Sequence, residues 1–486
     1  MILYFLLFAY LGALVLVSLS SHEGGAMGLK LPLIKGRSIQ WEFRVKEIEA
    51  RRPKYIASAK KLFVDSSGRT FLSKNVLIEI PSSSTVIKSE KCVVSPGKNR
   101  VEFPETVEVE SETGVFKGKK SLYLAKKGVI RLEGGIEFKI GEIKGKAERG
   151  RMELDQGQTL LLRPEFSSGD INLKGGRVLV MEREMLAYLR GKPAIMKSGD
   201  RILMAPLMEI DMEGKKVNSV FAPRGGKVVE KGRRLVAREI KLWSDGRLQG
   251  KGVVVRWGKI KFFAREIRGE DDSIMAEICS VYQGNLSFVS RNLLIKDNSL
   301  KAWGEVKGRL GEASFSCQEL SSSRGKRNLN GEVRIVKDEN VITASRAMED
   351  SGKYFLSEAS IITPDGYRLG ASRIIYGKDS IQLEGGASLR GENFRITAPG
   401  ITITLQEGRL AQLEAQNPGK IILGEDSARC MRIRYRFQEE KAILEGRAVL
   451  NSKKHGEIKG ERIVVNSRTG SFEIQSRGRT SSEIKQ

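Results

Sequence analysis

The sequence predicts an all-β protein of extended antiparallel strands, and three observations carry that expectation. Apolar and polar residues alternate with period two along most of the chain, whereas sustained helical periodicity is almost absent. The segment Arg432-Ile433-Arg434-Tyr435-Arg436-Phe437 alternates without error, which puts Ile433, Tyr435 and Phe437 on one face and three arginines on the other. Turn dipeptides such as Ser67-Gly68, Asp245-Gly246, Asp365-Gly366 and Thr469-Gly470 separate the alternating runs. Length adds a constraint: single cores stop growing at roughly 250 to 300 residues, so 486 residues require several modules or a repetitive architecture.

The first element is apolar. Met1 to Ser21 holds no charged side chain, and as a helix at ~1.5 Å per residue it is roughly 30 Å long, about one hydrocarbon core. It reads as a transmembrane anchor or a signal peptide. No Lys or Arg precedes the run, and the apolar stretch fills the whole segment, which favours the anchor. Residues 22–35 form a linker, and no second long apolar stretch follows, so the remainder is expected to be exported.

The exported part is divided into a module at 36–168, a second at 169–322 and a third at 323–486, with the serine cluster Ser321 to Ser323 read as a loop at a seam. A Leu-x-Gly pattern recurs at Leu132-Glu133-Gly134, Leu173-Lys174-Gly175, Leu248-Gln249-Gly250, Leu329-Asn330-Gly331, Leu383-Glu384-Gly385 and Leu444-Glu445-Gly446. It is expected at turn-to-strand junctions, with the repeat unit a hairpin in a meander of variable strands. About 40 strands shared between two sheets at ~4.8 Å per rung would give a rod on the order of 100 Å.

The charge balance, 84 Lys plus Arg against 59 Asp plus Glu for a formal +25, predicts attraction to a polyanion. Two histidines leave little material for metal sites or acid–base relays, and no acid–base constellation, P-loop or nucleophile elbow appears, so no enzyme, cofactor or metal is expected. Export and the scattered aromatics Trp41, Trp243, Trp257 and Trp303 speak against a nucleic-acid partner. The carboxylate rows Glu108/Glu110/Glu112 and Glu209/Asp211/Glu213 read as solvated strand faces, His22 and His455 as surface residues, and Cys92, Cys279, Cys317 and Cys430 as isolated buried residues rather than disulfides.

The apolar segment followed by Trp41-Glu42-Phe43, then Ile56-Ala57-Ser58-Ala59-Lys60-Lys61-Leu62-Phe63 and Gly114-Val115-Phe116-Lys117-Gly118, resembles the LptC-like periplasmic proteins of lipopolysaccharide transport. Leu189-Arg190-Gly191-Lys192-Pro193-Ala194 and the Leu-x-Gly hairpins are similar to the related OstA-like (LptA) domain. The resemblance covers most of residues 36–486, in a chain far longer than a single-module member. It implies β-jellyroll modules, open at both ends and stacked end to end after one N-terminal transmembrane helix. The implied setting is the inner membrane, crossed once, with the bulk of the chain in the periplasm. The implied partners are lipopolysaccharide, the inner-membrane ABC transporter of the export system, and other jellyroll bridge or outer-membrane translocon components joined by edge-strand pairing. Glu457 to Val465 and Ser471 to Ser476 would offer that edge.

Candidate groove residues are those facing inward on the best alternating runs: Val76, Ile78 and Ile80; Ile136, Phe138 and Ile140; Ile401, Ile403 and Leu405; Ile433, Tyr435 and Phe437. An acyl-lined cavity and an ordinary core use the same residue types, so both readings stand at this level. The second functional reading is an exported structural or adhesive β-repeat protein whose basic face binds anionic envelope polymer.

Overall fold

The computed structural model describes residues 18–20, 40–49, 52–95, 99–112, 114–270, 272–297, 299–476 and 479–484. Among them the chain is all-β. It has no α-helix, and single turns of 3₁₀ helix at Pro81–Ser83, Ala125–Lys127 and Glu213–Lys215 break the run of strands. Residues 1–17 and 21 of the expected anchor and the linker at 22–35 lie outside the described residues. Ser18–Ser20 is described as a short strand parallel to Lys46–Ile48. No helix among the described residues is long and apolar enough to cross a membrane.

The chain falls into two compact units, Met1–Lys251 and Gly252–Gln486, divided inside the strand Leu248–Trp257. The seams expected from the sequence do not coincide with that division. Position 168/169 is a hairpin turn inside the first unit, between Glu165–Ser168 and Ile171–Lys174. Position 322/323 lies within the strand Ala313–Ser323, whose serines are ladder residues: Ser321 pairs with Asn328 and Ser322 with Arg327. Serine is small enough to sit in a ladder, so a serine cluster by itself does not make a loop. Ser82 to Ser84, by contrast, lies in a turn, the 3₁₀ element Pro81–Ser83 and the residue that caps it.

In the second unit the strands form an antiparallel meander, each paired to the one before and the one after; in the first, half-strands interrupt that order, as where Ile143–Ala147 pairs with Val129–Ile140 and Glu165–Ser168. The meander runs from Ile260–Glu270 through Ser273–Gln283, Leu286–Lys296, Ser299–Leu310 and so on to Arg479–Ile484. The expected turn dipeptides are turns, with Gly68, Gly246, Gly366 and Gly470 at φ between 72° and 93°.

The strands are broken at mid-length. In the second unit the register shifts between Asn330 and Val333, between Glu384 and Ala387, and between Glu445 and Ala448, among others. In the first unit the same break separates whole half-strands: Ile143–Ala147 from Arg149–Glu153, Gln158–Leu162 from Glu165–Ser168, and Ile171–Lys174 from Arg177–Met181. An extra residue in one strand bends it and steepens its twist.

This places the Leu-x-Gly pattern differently from the expectation. It marks the bend inside a strand, not the junction of turn and strand. Gly134, Gly331, Gly385 and Gly446 have φ of 82°, 71°, 75° and 77° within the strands Val129–Ile140, Lys326–Lys337, Ser380–Arg390 and Lys441–Ser452. Gly175 opens the gap between two half-strands, and in Leu248–Trp257 the positive φ falls on Gly252 rather than Gly250. Glycine enters this backbone region without a Cβ clash, so in these four strands the bend is written as a glycine two residues after a core leucine, whereas in Ser273–Gln283 and Lys353–Ile362 the positive φ falls on Ile278 and Glu358.

Candidate functional site

The bends give the interior its geometry. Both halves of a bent strand keep their apolar side chains on the same face, so that face becomes the concave one and the halves turn it toward each other. In Ser380–Arg390, Ile381 and Leu383 before the bend and Ala387 and Leu389 after it are all buried.

Following the register from strand to strand reveals a continuous row of inward side chains in each unit. In the first it runs Ala57, Ile78, Ile87, Val109, Phe116, Phe138, Gly145, Phe166, Leu173, Met196, Leu203, Val228 and Leu235. In the second, Leu320, Leu329, Ala347, Leu356, Ile374, Leu383, Ile401, Ala415, Ile433 and Leu444 succeed one another in the same way. Four of the Leu-x-Gly leucines, Leu173, Leu329, Leu383 and Leu444, therefore belong to the rows, immediately before the bend, while Leu132 pairs with Ser121 and Gly150 outside them.

The candidate groove residues are distributed over this lattice. Ile78 and Phe138 share the first unit's row; Ile401 and Ile433 share the second's, separated by Ala415. Ile403 and Tyr435 flank Leu413 in the row beside it. Val76, Ile80, Ile136, Ile140 and Leu405 lie on the same inward faces, and Phe437 follows the end of the strand Asp426–Arg436. None of the twelve exceeds 8% exposure. At these positions the interior is filled by the protein's own side chains rather than open to solvent. Gly145 shows how tightly: a Cβ there would stand 2.5 Å from the Phe138 ring and 2.5 Å from the Phe166 side chain.

Sequence reasoning named a fraction of the rows and missed Phe116, Phe166, Met196, Leu356 and Ile374. The usable signal was the Leu-x-Gly leucine. Positions between two of them in register can be found only once the pairing is known.

Because direction reverses at each turn, successive turns alternate between two rims, which the bend brings face to face. Contacts across the second unit's mouth are direct. An Arg327 Nη donates to Asn285 Oδ1 at 2.9 Å, Ser322 Oγ lies 3.4 Å from Gln283 Oε1, and Asn340 Nδ2 donates to Tyr376 Oη at 3.3 Å. Aromatic rings close the mouth further along: Tyr367 meets Phe437 edge-on at 5.0 Å and Phe394 stacks on Tyr435 at 4.5 Å. In the first unit, residues 212–218 cross over. Glu142 N–H donates to Lys215 O at 3.1 Å, Lys215 Nζ to Glu112 O at 3.0 Å and Val217 N–H to Ser168 Oγ at 3.1 Å. Arg201 likewise donates to Gly246 O, while pairing at 2.9 Å with Glu230 on the adjacent strand. The mouths are thus bridged by hydrogen bonds, two arginine clasps and one aromatic cluster.

Burial pushes the phenols of Tyr354, Tyr376 and Tyr435 up to about 12, and the thiols of Cys92 and Cys317 to about 12 and of Cys430 to about 11. All four cysteines are buried and free. On the outer faces many charges are neutralised across strands. Arg432 pairs with Glu414 and Arg434 with Glu445, and Arg436 pairs with Glu439 in the turn that follows its own strand. Glu108 accepts from Lys117 at 2.6 Å, which with the neighbouring Lys88 holds its carboxyl below the usual range, and Glu110 pairs with Lys88. Asp211 and Glu213 both accept from Asn218. The His455 ring rests on Phe472. Among the described residues no cluster of His, Cys, Asp or Glu could hold a metal ion.

No protein-family model matches the chain, and no curated protein is significantly similar to it. The geometry alone therefore supports the functional reading.

Proposed function

We propose that the chain is an exported lipid-transfer protein of the cell envelope. In this reading each unit is a β-jellyroll that admits the acyl chains of lipopolysaccharide between its half-sheets, on the way from the inner to the outer membrane. The observation that carries the reading is the unbroken inward row of apolar side chains in each unit, beneath a mouth held largely by polar contacts. The interior is closed at rest, so transfer requires the rims to part.

Magnitudes favour that step. A hydrogen bond across the mouth is worth about 1 kcal/mol net. Relative to exposing it to water between the membranes, burying an acyl chain gains about 0.8 kcal/mol per methylene, hence about 10 kcal/mol for a dozen carbons. An incoming chain can offset the loss of several clasps. Membrane anchoring through residues 1–21, energy from an inner-membrane ABC transporter, and strand addition by bridge or translocon partners belong to the same proposal, with the edge moved from residues 457–465 and 471–476, whose strands are paired on both sides, to Arg479–Ile484.

The test is photocrosslinking of an acyl-labelled lipopolysaccharide to probes at Ile78, Phe138 and Tyr435, with Arg434 on the outer face as control. Crosslinks confined to the three inward positions support carriage; none at any of them rejects it. The filled interior and the +25 charge together favour one other reading, a basic scaffold that binds anionic polymer from outside. Equal binding of intact and deacylated glycolipid would select it.

A further inference from the structure

A cleft of roughly 300 Å³ opens between the rims of the second unit, lined by Lys259 and Gln283 from one rim and by Ser322, Ser323, Arg324 and Arg327 from the other. We propose that it binds a phosphomonoester carried on a saccharide. This deepens the reading above by naming the part of the glycolipid that the mouth would recognise.

Three cations converge here, and their partners are few. Elsewhere on the strands arginines and lysines face glutamates across the ladder, as Arg434 does Glu445 and Lys117 does Glu108. Lys259 and Arg324 have neither an ion pair nor a side-chain hydrogen bond among the described residues. Both are exposed on hairpin turns. Arg327 pairs with Glu349 and Asn285 through its terminal nitrogens, yet its buried Nε has no acceptor. Two unbalanced, exposed cations beside the Arg327 guanidinium call for an anion with several acceptor oxygens, and phosphate, which arginine binds with charge-assisted bonds, supplies them. The cleft is larger than one phosphate needs. The hydroxyls of Ser322 and Ser323 and the Gln283 amide are the neutral donors and acceptors that a sugar ring uses.

The experiment is calorimetric titration of the full chain with a hexosamine phosphate, the unphosphorylated hexosamine and inorganic phosphate. It compares Lys259→Gln/Arg324→Gln with a control, Lys307→Gln/Arg309→Gln, that removes the same charge from the outer face. The expected result is saturable binding of the hexosamine phosphate, at least tenfold weaker in the cleft variant and within twofold of the parent in the control. Equal losses in the two variants would reduce the effect to bulk charge and overturn the site. Inorganic phosphate binding as tightly as the hexosamine phosphate would overturn its saccharide half. None of the probes carries an acyl chain, so the outcome is independent of whether the interior admits lipid.

Discussion

Glu349 is 6% exposed, and its carboxylate meets the Arg327 guanidinium at 2.6 Å. Removing one partner of such a pair leaves an uncompensated buried charge, so Arg327→Ala should lower unfolding free energy by about 3–5 kcal/mol in denaturant titration. Arg327→Met combined with Glu349→Leu should recover most of that loss, because the cost lies in the stranded charge. The phenols and thiols make a second prediction at this scale. Their folded-state values are raised toward about 11 to 12, so the fold favours their protonated forms. That contribution is complete below the unfolded thiol and phenol range of about 8.5 to 10 and is lost as pH rises toward the folded values. Stability measured by denaturant midpoint should therefore hold from neutrality to about pH 8.5 and decline above it. The same burial makes the thiols inert: at pH 8 a disulfide reagent should label no cysteine in the folded chain and all four after unfolding. Fast labelling of any of them in the native state would contradict the packed interior.

A bent strand is the element on which the interior depends, and two glycines test it in different ways. At Gly446, φ of 77° admits alanine only with strain, and the new Cβ would stand 2.9 Å from that of Met431. Gly446→Ala should cost about 1–2 kcal/mol through the left-handed backbone alone, more with the contact. At Gly145 the backbone is ordinary but the space is taken by Phe138, Phe166 and the Glu165 carbonyl oxygen. Gly145→Ala should cost about 1–3 kcal/mol by overpacking, and Gly145→Ala with Phe138→Leu should regain part of it. Additive losses in that pair would mean that the aromatic row does not fill the glycine's place. The strands themselves were legible because alternation reads directly as a half-buried ladder, as at Arg432 to Phe437. The bend was half legible: the sequence displays Leu-x-Gly, but a glycine in a turn and a glycine in a bulge look alike until the ladder on both sides is known.

For the whole molecule the long-range term is charge. A formal +25 should make binding to anionic vesicles or envelope polymer fall steeply with added salt, measured by cosedimentation between roughly 50 and 500 mM, as the Debye length shrinks below about 10 Å. A binding curve indifferent to salt would place the recognition in the apolar interior alone. The ion pairs at Arg432, Arg434 and Arg436 show that much of the basic surface is locally neutralised. The unbalanced remainder, including Lys259 and Arg324, is where an anionic ligand gains most.

From the amino-acid order alone came the all-β class, the strand faces, the turns marked by glycine dipeptides such as Asp365-Gly366, and the net charge, since each depends on local sequence or composition. The tertiary structure decided which strands meet, that Leu-x-Gly bends a strand instead of starting one, and that Ile401 and Ile433 belong to one row. It also decided that the twelve inward residues lie in a filled interior and that Arg327 reaches Asn285 across the mouth. Those outcomes rest on register and on contacts between residues tens of positions apart, where a one-residue slip would carry every side chain to the opposite face.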